Sequence, residues 1–468
     1  MMDHTNKQFE FNKSLQDVVR LFLMYFTLTL LCFLLFGSVS KVMAQTVSPV
    51  VEFADGGIDD QDDICLWVHP TPSQSLVIAS DKGANTIFVY DLQGNTLQSI
   101  QTDGQPGNID VRYNFLLDGE LVDIVAFNDR SNSEVDIYRV LPDDRQLAFL
   151  NSFDGGNWPD ELYGFCLYHS QATGKFYAIG AGASGQLRQW EMVDNGSGGI
   201  NGIEMRTWSN GSQTEGMVAD DENGLLFAAN EVEGVYRYDA EPDDANPDGV
   251  LIAETGRNGL TDDVEGVTIY YAAGGTGYLI VSSQGNDSFK VYNRRPPHAF
   301  VKSFTVSGAG STDGIDVSNL NFGGDFSQGI FLLHDGGSSP YVVHGCDYAD
   351  LGLDIDTDYW NPRNTATAIL PSAGIPEKFG LLQNYPNPFN PSTAIRYNLN
   401  EAEQVTLRIF DLLGREVSTL VDAKQPAGAY LVRWEAKNAY GNELPGGIYF
   451  AQLQAGSNLQ TIKMALMR

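Results

Sequence analysis

Short apolar runs recur along the middle of the chain, and each closes on an aromatic beside a polar residue. FVYDL, DIYRV, RQWEM, VYRYD and KVYNR are the clear copies, and YVVHG is a weaker sixth. Counted at Tyr90, Tyr138, Trp190, Tyr238, Tyr292 and Val343, they stand roughly 50 residues apart. Before most of them lies a partner run and a polar, Gly-rich turn, as in LVIASDKGANTIFVY and LLFAANEVEGVYRY. β-Branched and aromatic residues suit a pleated surface, and Gly, Asn and Asp suit the turns. No amphipathic helix breaks the series. The pattern predicts an all-β chain with a six-bladed β-propeller, a pair of seven-stranded sandwiches being the competing arrangement.

The pattern changes at both ends. Lys13 and Arg20 precede the apolar run LFLMYFTLTLLCFLLF, and GSVSKVMAQT follows, so residues 1–44 read as a signal peptide cut after Ala44. An uncleaved anchor is the alternative, and no later stretch is apolar enough to span a bilayer. The propeller is expected over 45–360. LDIDTDYW carries Asp354, Asp356 and Asp358 at calcium-loop spacing, but Tyr359 and Thr365 stand where Gly and Glu belong. A Pro-, Ala- and Thr-rich linker follows at 361–379. Residues 380–468 alternate again, in AIRYNL, QVTLRIFDLLG, YLVRWEAK, IYFAQLQA and TIKMALMR, and predict a small β-sandwich.

Charge narrows the function. The chain of 468 residues has 28 Lys+Arg against 60 Asp+Glu, a net charge of −32. Such a protein repels nucleic acid and anionic membrane, and favours multivalent cations or simple solubility. Once Cys32 leaves with the signal, Cys65, Cys166 and Cys346 remain, an odd set that forms no disulfide framework. They read as small buried hydrophobes. Thr71 and Ala172, not Arg, stand six residues after the first two, which excludes a cysteine phosphatase loop.

There is no nucleophile elbow, P-loop, HExxH or RHG, and the histidines His69, His169, His298, His334 and His344 are scattered. What recurs is carboxylate and amide at matching points of successive repeats. Asp62 and Asp63 lead the first, Asn108 and Asp110 the second. Glu215 and Glu231 follow, then Asp263, Glu265 and Gln284, then Asp313 and Asp316. In a propeller, loops at one end of every blade converge on the central channel. Many hard oxygen ligands without His or Cys suit Ca2+ better than zinc. TDDVEGVTIYY sharpens the point: on an extended chain Asp263 and Glu265 would sit side by side and repel unless a cation lies between them. Lys82, Arg112, Arg130 and Arg188 are the few cations nearby.

The stretches DDICLWVHPT, NIDVRYNF, ELYGFCLYHSQATGKFYA, SQTEGMVADDENGLLF, LTDDVEGVTIYYAAGGTGYLIVSSQGN and STDGIDV resemble the β-propeller, or alkaline, phytases over roughly residues 50 to 337. The resemblance implies calcium-dependent phosphomonoester hydrolysis of phytate by metal-activated water, with no protein nucleophile. It implies metal ligation by Asp62, Asp63, Glu215, Glu231, Asp263, Glu265, Gln284 and Asp313, and a further calcium site at Asn108 and Asp110. It assigns phosphate contacts to Lys82, Arg130, Tyr163 and Asp313, and puts Glu231, Tyr163 and Asp313 nearest the chemistry. The chain departs from the family at Gly83 and Ala183, where lysines are usual, and at Ser307, where an Asp ligand is usual; Arg188 is the candidate substitute cation. Residues 380–468, opening on NYPNPFNPST and ending on MALMR, resemble the type IX secretion C-terminal sorting domain. That implies export by that machinery, then release or attachment at the cell surface; a monomer is expected. The rival readings are a non-catalytic propeller, an adhesin or sugar-binding module, and a calcium-dependent lactonase.

Overall fold

The computed structural model describes residues 45–243, 248–357, 361–362, 367–369, 378–384, 387–391, 393–425, 427–438 and 442–467. The expected signal at 1–44 lies outside them, as do Asp358, Tyr359 and Thr365 of the calcium-like loop. Asp356 of that loop accepts the Ala273 N–H at 2.6 Å. Among the described residues no helix is long and apolar enough to cross a membrane.

Six sheets follow one another in sequence, five of four antiparallel strands and the fifth with an added parallel strand at its edge. The first strands are Gln61–Trp67, Pro106–Leu117, Leu162–His169, Thr214–Asp220, Val264–Ala272 and Ile315–Ser318. Each of these lies against its counterpart in the next blade, and the sixth lies against the first, so the ring closes. The sixth blade takes its outer strand from the N-terminal side: Val51–Phe53 pairs antiparallel with Val342–Asp347. Gln45–Val47 extends the fifth blade by pairing parallel with Phe300–Val306.

The apolar core lies between blades. Ile124, Ile137 and Phe153 of the second blade pack with Leu167, Phe176 and Trp190 of the third, and similar clusters fill the other gaps. A blade is therefore buried on both faces, which is why its strands read as near-continuous apolar runs. Cys65, Cys166 and Cys346 are buried free thiols, as expected.

The inner strands share one irregularity near their start. In the first five blades the ladder register shifts between Gln61 and Ile64, Pro106 and Ile109, Leu162 and Gly164, Thr214 and Met217, and Val264 and Val267. These are β-bulges, which bend a strand and re-aim its side chains. The pairs they carry are Asp62-Asp63, Gly107-Asn108, Tyr163-Gly164, Glu215-Gly216 and Glu265-Gly266. Asp313-Gly314 holds the same place in the sixth blade, just ahead of its first ladder pair. The glycines are required by close approach. Gly266 N donates to Asp313 O at 3.0 Å, and a Cβ on Gly266 would stand 2.3 Å from that oxygen. On Gly216 it would stand 2.1 Å from Glu265 O.

Residues 380–467 add a second β unit. Gly380–Leu381, Thr393–Leu399 and Gly428–Trp434 form one sheet, and Glu403–Asp411, Glu416–Gln425, Gly447–Ala455 and Asn458–Leu466 the other. Tyr397, Leu407, Val432, Trp434 and Leu453 lie in their shared core. The stretch read as a linker contributes Thr367–Ile369 as an edge strand on Gly428–Trp434.

Gly266→Ala should cost about 1–3 kcal/mol, because backbone and not a flexible side chain meets the new methyl. Gly56→Ala, with nothing within 4 Å of its Cβ, should change little. Chemical denaturation of the two variants checks this, and equal stability would overturn the close-approach argument.

Candidate active site

The bulges turn their first residue toward the mouth of the channel. Three carboxylates meet there: single oxygens of Glu215, Glu231 and Glu265 all lie within 4.8 Å of one another. Glu215 and Glu265 are buried and hydrogen-bond each other, which requires a shared proton when no cation is present. Burial first, and neighbouring carboxylates next, push both well above the usual range. Glu231 is raised less, by burial and by Asp263, while Gln213 offsets part of this by donating to Glu231 Oε1 at 2.7 Å.

A second group adjoins these three. Lys82 Nζ lies 2.5 Å from Asp62 Oδ1 and 3.9 Å from both Asp60 Oδ2 and Asp313 Oδ2. Asp313 Oδ1 accepts from Gln284 Nε2, and His334 Nδ1 stands 3.2 Å from Asp313 Oδ2. Burial works against the Asp313 anion, but His334, Lys82 and Gln284 outweigh it and hold the carboxyl below its ordinary value. Arg130 approaches from the second blade, bonded to Glu161 at 2.8 Å and lying 4.2 Å above the Tyr163 ring. Burial and the Glu215, Glu265 and Glu231 carboxylates raise the Tyr163 hydroxyl far above its usual value, so it stays protonated and can only donate or accept as O–H.

Other predicted residues lie apart from this cluster. Asp63 is half-buried against the second blade, accepting from Ile109 N at 3.0 Å and Asn108 Nδ2 at 3.2 Å. Asp110 pairs with Arg112 at 2.8 Å and accepts from Leu167 N. Asp63, Asn108, Asp110 and Asp316 line a channel cavity of about 50 Å³. Arg188 lies over the Trp158 ring at 4.5 Å, is bonded to the carbonyls of Gly155 and Asn157, and stands 3.8 Å from Glu204 Oε2. Gly83 leaves room that Asp59 occupies, since a Cβ there would stand 2.8 Å from Asp59 Oδ2. Ser307 donates its N–H to Val47 O.

The side-by-side placement of Asp263 and Glu265 needs correction. Asp263 has φ 60, in the left-handed region, and is exposed, whereas Glu265 is buried among Glu215 and Glu231. The strand begins at Val264 and bulges at once, so two-residue alternation does not reach back to Asp263. Reading by sequence also missed Gln213, Glu161, Asp60 and His334. Gln213 stood inside the SQTEG stretch; His334 had no local signal.

The donor set fits a hard cation. It is all oxygen, and Asp62 Oδ2, Glu265 Oε2 and Asn108 Oδ1 are enclosed with no hydrogen-bond partner. Buried carboxylate oxygens left this way are costly unless a cation is bound.

The phytase family profile matches residues 22–340. The chain belongs to the phytase family. It is 40% identical over 310 residues to a protein described as a 3-phytase from Bacillus subtilis strain 168, covering 63% of this chain and 79% of that relative. Residues 390–458 match the FlgD Ig-like domain. The phytase match runs from the first blade into the sixth, and the second β unit matches the Ig-like domain.

Asp63, Asp221 and Asp316 are enclosed in the channel and pushed up to about 7, mainly by burial. Such groups bind more protons folded than unfolded between about pH 4 and pH 7, so stability falls as pH rises through that window. In excess chelator the melting temperature should therefore drop from about pH 5 to about pH 8. A rise over that interval would contradict the burial of these carboxyls in the channel.

Proposed function

We propose that this protein is a calcium-dependent phosphomonoesterase that hydrolyses phytate, myo-inositol hexakisphosphate, to phosphate and lower inositol phosphates. The observation that carries the reading is the convergence of Glu215, Glu231 and Glu265 beside Lys82 and Arg130. Carboxylates alone would repel a polyanion, and cations alone would not require so many acids. Together they fit a phosphate received through metal.

Glu215, Glu231, Glu265, Asp62 and Asp313 would hold calcium at the mouth, with Asp263 at its exposed edge and Gln284 beside Asp313. Asp63, Asn108 and Asp110 line the deeper cavity and would serve a further ion. Bound in the basin, calcium supplies Lewis acidity toward phosphoryl oxygens and a lowered pKa for the attacking water. Lys82 remains ammonium, because Asp62 and Asp313 outweigh the desolvation that opposes it. It can neutralise a phosphoryl oxygen as a point charge. Arg130, steadied by Glu161 and the Tyr163 ring, presents a planar fork to a second oxygen. Tyr163 contributes an O–H donor. The buried thiols of Cys65 and Cys166 are pushed upward by burial and adjoining carboxylates, so neither forms a thiolate nucleophile.

The Ig-like unit carries none of these residues. Its NYPNPFNPST opening and its likeness to type IX sorting domains support a role as an export address, with the propeller acting outside the cell.

Glu231→Ala and Lys82→Met should each lower phosphate release from calcium phytate by roughly a hundredfold or more, and excess EGTA should abolish it. Colorimetric phosphate assay reads this, and release that is equal in wild type and both variants would sink the assignment. EGTA should also lower the melting temperature, since an ion bound only to the folded chain adds stability by mass action. Deleting residues 380–468 should leave the hydrolase active in lysate and abolish its export; export of the truncated chain would remove the address role.

A further inference from the structure

Each bulge faces one residue of the neighbouring strand. In the first five blades that residue is Ser80, Asn128, Ala181, Ala229 or Ser282. In the sixth it is His334, whose own N–H donates to Gly314 O at 2.9 Å. Five of the positions thus hold a small residue or an amide, and one holds an imidazole. Asn128 shows what the position can do. Its Nδ2 donates to the carbonyls of Leu162 at 2.8 Å and Tyr163 at 2.9 Å, so it fastens the next blade's bulge.

His334 fastens its own. It is 2% exposed. Its Nδ1 stands 3.2 Å from the Asp313 amide nitrogen and 3.2 Å from Asp313 Oδ2. Main chain and ring therefore bracket Asp313-Gly314, the one bulge pair that precedes the first ladder pair of its strand. The ring cannot easily swing away. Tyr341 stands edge-on to it, centroids 6.2 Å apart, and the backbone at Gly336 is close enough that a Cβ there would lie 3.0 Å from Cε1. Among the described residues Nε2 has no partner, so Asp313 is the ring's only side-chain attachment.

We propose that His334 is a positioning residue, which fixes the Asp313 carboxylate, together with Gln284 and Lys82, in the orientation that serves the acidic basin. The inference rests on the metal reading of that basin. A carboxylate free to rotate would be a poor ligand, because an ion needs its oxygens arranged before it arrives.

The test is terbium luminescence titration of the full chain as wild type, His334→Leu and His334→Asn, with melting curves in excess chelator alongside. The Asn side-chain NH2 can reach near the Nδ1 position and donate to Asp313 Oδ2. His334→Leu should weaken terbium binding by roughly 10–100-fold, and His334→Asn should recover most of it. Melting in chelator should be alike in all three, and kcat should fall in the Leu variant more than KM rises. Wild-type affinity in His334→Leu would overturn this assignment alone. Equal loss in both variants, with an equal drop in chelated melting temperature, would reduce His334 to a space-filling role. A wild type that takes up no terbium would overturn the metal reading and this assignment with it.

Discussion

Crowded negative charge at the channel mouth is the constraint on which this architecture turns. Glu215 and Glu265 touch, Glu231 joins them, and Asp62 and Asp313 stand close enough to raise Glu215 further. Such a cluster opposes folding unless protons or cations offset it. The protein supplies few cations of its own. Lys82 is held between Asp62 and Asp313, and Arg130 is already bonded to Glu161. A bound metal ion would meet the remaining requirement, and would give a strongly acidic protein an affinity for an anionic substrate.

The bulges explain how acids far apart in sequence come to share one basin. Without them an inner strand would alternate strictly between its two faces. With them, one side chain in five of the blades is re-aimed at the start of the inner strand, and in four blades the next residue accommodates the neighbouring backbone. Glycine fills that second position in four blades, because a carbonyl of the next blade closes to a distance no Cβ tolerates. In the first two blades Asp63 and Asn108 stand there instead and bond each other, making a second polar layer within the channel. The fastening side chains Asn128 and His334 lie opposite the bulges and hold Tyr163 and Asp313, the two residues that adjoin Lys82 and Arg130.

The departures from the family now have physical settings. Gly83 admits Asp59, which adds negative charge where a lysine is usual. The Arg188 guanidinium lies over Trp158, bonds two backbone carbonyls and stands 3.8 Å from Glu204. Lys82 and Arg130 are the cations set beside the carboxylate cluster among the described residues.

Sequence by itself determined the period, the all-β class and the identity of the acidic loops. Blade spacing is written in strand-forming runs and turn residues, which are local properties. The pairing of Glu215 with Glu231 and Glu265 was within reach for the same reason, since equivalent loops of a closed ring must converge. Tertiary structure alone decided which acids meet. Asp263 was expected beside Glu265, but a left-handed residue and an immediate bulge turned it outward, and neither is visible in alternation. Only the folded ring brought His334 against Asp313, as no spacing rule links a residue on a second strand to a loop 21 positions earlier. Contacts of that kind are set by blade geometry and inter-blade packing, which the linear order of residues does not record.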